Sequence, residues 1–185
     1  MGYDMYLERK DLTVPADKSG IARTYFRYNI WGMRTMRQIM QALDLVDLTP
    51  ATYDVLLPKD KRPDLLLFSP PGADPDDWYW TGESRSDPRW QEFHRRDLAW
   101  RGPESPSGLP YLAKFGSNDG WWVRPEECAK MVAKYYALTP DDVTKALETI
   151  ADDSDAEWVQ GWRKELEDWM AWNAAAANEN GYTVR

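Results

Sequence analysis

One histidine, His94, and one cysteine, Cys128, bound the chemistry open to this chain. A structural zinc site takes four His, Cys or carboxylate ligands, so these two residues do not build one. His94-Arg95-Arg96-Asp97 echoes the catalytic loop of a protein kinase, but no glycine-rich phosphate loop or strand lysine accompanies it. The phosphate-cradling patterns G-x-x-x-x-G-K and G-x-G-x-x-G are missing, which leaves an NTP-dependent enzyme without support. Two carboxylate clusters, Asp74, Asp76, Asp77 and Asp152, Asp153, Asp155, have the ligand type for Ca²⁺ or Mg²⁺. Neither shows the turn glycine and terminal glutamate of a calcium loop, and both read as solvated loops and helix caps. His94 reads as a surface or interface side chain. Cys128 falls on the apolar face of a helix, where a thiol behaves as a small hydrophobe. A helix N-terminus nearby would lower its pKa, yet no histidine is close in sequence to act as its base. The sequence therefore assigns no catalytic residue, no metal and no cofactor.

Two further groups of residues are suited to binding. Trp78, Tyr79, Trp80, Trp90 and Trp100 lie in a proline-rich region, and a loop buries large aromatics less easily than a helix or strand does. They can anchor a protein partner, stack on a sugar or nucleobase, or pin the loop to the body of the protein. Tyr25, Arg27, Asn29, Asn118, Asp119 and Arg124 unite residues of a strand, a helix cap and a turn. They form a polar ligand site if the turn lies beside that strand.

The elements that must position these groups are readable along much of the chain. Tyr3 to Glu8 alternates in polarity and reads as a strand. Asp11 to Gly20 reads as a loop. Arg23 to Tyr28 is a second strand, with Asn29 placed to cap a helix from Ile30 to Asp44 that turns Met33, Met36, Ile39, Met40 and Leu43 to one side. Gly32 on that side permits close approach to the sheet. Ser117-Asn118-Asp119-Gly120 reads as the turn of a hairpin from Lys114 to Val123, with Trp121 to Val123 as the returning strand. Pro125 opens a helix, since proline at a first helical position loses no needed hydrogen bond. Thr139-Pro140-Asp141-Asp142 starts another helix, and Ser154-Asp155-Ala156-Glu157 has the form of a capping box for the longest, to Asn178. Gly181 stops it, and Tyr182 to Val184 can return as a strand.

The segment from about 49 to 110 is the least legible, because ten prolines from Pro50 to Pro110 interrupt every long period. Within it, Leu65 to Phe68 reads as a short buried strand and Pro88 to Trp100 as a helix with Trp90, Phe93 and Leu98 on one side. A structureless insert of this length in a compact domain points to a functional loop, a mobile segment or short elements.

The segments MGYDMYLE, YFRYNIWGM and GSNDGWWVRPEEC together resemble a group of small uncharacterised proteins of actinobacteria and tailed phages. Those proteins carry MGYD or MGLDMYL starts and a W-V-x-P-E-E helix entry. The resemblance rests on segments that make up about a sixth of the chain. It implies a phage or phage-related protein and brings no catalytic residue with it.

At 185 residues the chain suits one domain. Its net charge of −8 argues against nucleic acid as a partner, because phosphate neutralisation supplies most non-specific affinity. The charge is uneven: residues 1 to 40 hold seven Lys or Arg against four Asp or Glu. One cysteine excludes an internal disulfide and fits a reducing compartment. No stretch approaches a membrane span or a secretory leader. The expectation is a cytoplasmic, single-domain α+β protein, a small and mostly antiparallel sheet covered by about four helices. Its expected role is a non-enzymatic interaction protein that binds a host protein through an aromatic-rich surface. The alternative is a protein or enzyme that binds a small molecule, a sugar or a nucleotide.

Overall fold

The computed structural model describes residues 2–11, 24–50, 53–80, 85–151 and 155–185. Four strands, β1 (Gly2–Leu7), β2 (Tyr25–Asn29), β3 (Trp121–Val123) and β4 (Tyr182–Val184), form one antiparallel sheet in the order β2-β1-β4-β3. The α+β class expected from the sequence is the one observed. Alternation divides the strand residues between two faces. Met5, Leu7, Phe26, Tyr28, Trp121, Val123, Tyr182 and Val184 point into the main core.

That face is covered by α1 (Ile30–Ala42), α5 (Pro125–Tyr136), α6 (Pro140–Ile150) and α7 (Ala156–Asn178). Met33, Met36, Ile39 and Met40 of α1 enter the core, as do Cys128 and Met131 of α5, Val143 and Leu147 of α6, and Leu166, Trp169, Met170 and Trp172 of α7. Local capping explains where these helices begin. The Asn29 side chain accepts from the Gly32 amide at 2.7 Å. Thr139 and Asp142 bond each other's backbone amides reciprocally, which satisfies two orphan donors at once. Asp155 caps α7 through the Glu157 amide at 2.9 Å, whereas the Ser154 of the expected box lies outside the described residues. Most of the expected loop from Asp11 to Gly20, and Asp152 and Asp153, lie outside them too.

The insert holds α2 (Tyr53–Leu56), α3 (Pro75–Trp80) and α4 (Pro88–Arg101), with 3-10 turns at Lys59–Lys61 and Leu65–Leu67. The sheet is thus covered by the four helices expected, and the insert adds three more among the described residues, because the prolines that interrupt long periods also start helices: Pro75 and Pro88 are the first residues of theirs. Leu65 to Phe68 is no buried strand. Its three leucines wind into a turn capped by Asp64, and Leu66 and Leu67 are 67% and 80% exposed. The expected Lys114 to Val123 hairpin is absent as well. Leu112–Phe115 is a 3-10 turn, and β3 pairs with β4 from the far end of the chain. Gly120 does take a positive φ of 77°, where its amide bonds Val184 O at 2.8 Å.

Candidate functional site

The strand order decides the fate of the polar set foreseen on strand, cap and turn. β2 and β3 are opposite edges of the sheet, so these six residues do not converge. Tyr25 donates to Asp4, which also pairs with Arg27 at 3.4 Å across the β1–β2 register. That hydrogen bond holds the Tyr25 phenol above its ordinary pKa. Asn29 caps α1. Asn118 reaches the Gly2 carbonyl at 2.5 Å, and the Asp119 carbonyl accepts from Arg101 at 2.5 Å. Arg124 donates to Gly102 O at 2.5 Å, pairs with Glu104 and lies 5.2 Å over the Trp122 ring. Each residue stitches its own neighbourhood.

The aromatic set proves largely internal. Trp90 is 5% exposed and donates its Nε1 hydrogen to Tyr79 O at 2.9 Å, and Trp78 is 9% exposed. Trp100, half-buried, donates to Pro58 O at 2.9 Å and has Arg62 and Arg101 over its ring. The Trp80 side chain lies outside the described residues. Trp90 and Trp100 thus tie parts of the insert to one another, and Trp100 also packs against the main core.

What the insert packs on was not foreseen. The second sheet face carries Asp4, Tyr6, Glu8, Arg27, Trp122 and Thr183, and α4 packs over part of it. His94, expected at the surface, is buried there: its Nε2 lies 3.0 Å from Glu8 Oε2, and Thr183 donates to Glu8 Oε1 at 3.0 Å. The Trp90 ring stacks on the imidazole with centroids 4.6 Å apart, and the Tyr79 hydroxyl stands 3.5 Å from Nδ1. Burial by itself would raise the pKa of Glu8, but the His94 hydrogen bond and charge, with Thr183, outweigh it and hold the carboxyl below its ordinary value. A cavity of about 610 Å³ opens over this network, with Tyr6, Tyr25, Tyr79, Arg9, Arg85 and Arg185 in its walls. A second cavity of about 650 Å³ shares Tyr79 and Arg185 and is lined further by Asp97, Arg101, Asn118 and Asp119.

The insert also builds a groove of about 690 Å³ between α2, the two 3-10 turns and α4. Its apolar lining includes Val55, Leu67, Phe68, Ala99 and Trp100, with Val55 72% exposed. Its charged lining is Lys61, Arg62, Arg95 and Arg96 against the single carboxylate of Asp64. Arg96 lies 5.4 Å over Phe68, and Glu92 anchors both Arg95 and Arg96. Of the aromatic residues expected to meet a partner, Trp100 is the one in this lining. The signal in the sequence was Leu65-Leu66-Leu67, an apolar run followed by basic residues on the next long helix.

Cys128 is fully buried, as its helical face implied, and burial pushes its thiol well up. Among the described residues no three His, Cys, Asp or Glu side chains are grouped to hold a metal ion. Nor is any helix among them long and apolar enough to cross a membrane. Compared with family models, curated proteins and solved structures, the chain matches none.

Proposed function

We propose that this is a non-enzymatic binding protein whose insert captures an acidic, amphipathic segment of another protein. The observation that carries the reading is the groove. A protein of net charge −8 sets four cations, Lys61, Arg62, Arg95 and Arg96, against Asp64 in the lining and Glu92 beside it, around a strip of exposed Val55 and Leu67. Exposed apolar surface rimmed by charge marks interaction sites, and a charged rim selects partners of opposite sign. An amphipathic helix laid into the groove would set apolar anchors on Leu67, Phe68 and Trp100 and carboxylates toward the arginines. In the phage-related setting that the sequence resemblance implies, the captured segment belongs to a host protein and the meeting place is the host cytoplasm. A single buried, unpaired Cys128 is in keeping with a reducing compartment.

Selection of random displayed peptides on the immobilised protein tests this reading. Acidic amphipathic sequences should be enriched, and enrichment should vanish on Leu67→Asp, an exposed change that leaves the core intact. Enrichment of basic sequences, or equal enrichment on the variant, would overturn it.

A further inference from the structure

We propose that Arg62 and Arg96 are the residues that recognise the captured segment, each taking one of its carboxylates, while Arg95 and Lys61 add charge without selecting. The proposal rests on the groove as the binding site and divides its four cations by geometry. Glu92 bonds two of them unequally. Arg95 donates to it from Nε at 3.0 Å and from Nη2 at 2.8 Å, so one edge of that guanidinium already holds a carboxylate. Arg96 gives Glu92 its Nε alone, at 2.6 Å, and its two terminal nitrogens have no other partner among the described residues. A guanidinium takes a carboxylate best through two parallel N–H bonds, and Arg96 keeps such a pair open at its end where Arg95 does not.

Aromatic rings beneath these cations separate them further. The Arg96 guanidinium lies 5.4 Å over Phe68, which is itself packed edge-on against buried Phe93 at 5.6 Å. Arg62 lies 5.6 Å over Trp100, whose indole is tied to Pro58 O. Such stacking occupies the face of a guanidinium and leaves its N–H edges for an anion. Arg62 makes no hydrogen bond or ion pair among the described residues. Asp64, the carboxylate of the lining, caps the Leu65–Leu67 turn through the Leu66 amide at 3.0 Å instead of pairing with it.

Lys61 is exposed and has neither a ring nor a carboxylate to hold it among the described residues. A compact ammonium on a flexible stem adds attraction at a distance and little direction. A side chain that is already held loses less rotamer freedom on binding, so the two stacked arginines are the ordered receptors of the groove. The captured segment therefore carries one carboxylate that reaches Arg96 beside Phe68 and another that reaches Arg62 beside Trp100. A uniformly acidic face is not required.

Charge-preserving exchanges test this, read by fluorescence anisotropy with a glutamate-rich amphipathic helix. All four side chains are exposed, so Arg62→Lys, Arg96→Lys, Arg95→Lys and Lys61→Arg leave the core intact, which an unchanged Tm confirms. Arg62→Lys and Arg96→Lys should each weaken binding about fivefold or more, because lysine keeps the charge and loses the planar fork. Arg95→Lys and Lys61→Arg should stay within about twofold of the parent protein. In a double-mutant cycle, one glutamate of the helix should couple to Arg96 and a different one to Arg62. Equal effects of the four exchanges, or a loss on Arg95→Lys as large as that on Arg96→Lys, would overturn the proposal and leave the groove as the binding site. Failure of the parent protein to bind the helix would overturn both.

Discussion

Glu8 and His94 show how a residue's chemistry depends on partners far away in sequence. Because the folded carboxyl titrates below its ordinary value of 4.5, Glu8 contributes stability that is complete above that value. The contribution is lost as pH falls through the lower folded value. Glu8→Gln should therefore cost about 2 kcal/mol at neutral pH and flatten the acid side of the stability profile in urea unfolding. An unchanged acid slope would contradict the network. The buried pair of Lys114 and Glu127, 2.7 Å apart, behaves differently. Burial pushes the lysine down and the glutamate up, while their attraction opposes both shifts. Glu127→Ala leaves a buried ammonium uncompensated and should cost about 3–5 kcal/mol in the same assay. The double variant Lys114→Met, Glu127→Leu should recover part of that loss. None of this pairing was legible beforehand. His94 is followed by two arginines on a helix, and its partner lies 86 residues away. The one available hint was β1 itself, whose alternation continues through Glu8 onto the polar face.

At the scale of elements, what depends on neighbouring residues was legible. Asn29, Pro125 and Thr139 mark helix starts because capping is settled within a single turn. The hairpin was misread because Asn118-Asp119-Gly120 has turn chemistry whichever strand follows it, and the pairing of β3 with β4 is set 60 residues downstream. Gly181 makes that pairing reachable. It takes φ 72°, and a Cβ there would lie 2.0 Å from the Val123 carbonyl, so Gly181→Ala should cost about 3 kcal/mol or more by thermal or urea unfolding. Gly161, exposed in mid-α7 with open space around it, provides the opposite case. Gly161→Ala should add up to about 1 kcal/mol through helix propensity alone. A stabilising Gly181→Ala would contradict the tight β3–β4 junction.

Across the whole molecule, two arrangements had no local signal. The first strand ends up inside the sheet beside the last, a pairing that neither pattern nor propensity specifies. The charge of −8 likewise hides a groove where four cations meet two carboxylates, Asp64 and Glu92, since it appears only once Lys61, Arg62, Arg95 and Arg96 are brought together by the turn of the insert. The aromatic residues of that insert were recognisable, but their burial was not, because proline spacing says where helices start and little about what they cover. The most direct measurement is a titration of the protein with two synthetic amphipathic helices sharing one apolar face, one glutamate-rich and one lysine-rich, followed by fluorescence anisotropy. Net charge alone favours the lysine-rich helix. The groove predicts the reverse: the glutamate-rich helix binds at least about tenfold more tightly, weakens with added salt, and loses affinity on Leu67→Asp. Preference for the lysine-rich helix, or binding that Leu67→Asp leaves intact, would contradict it.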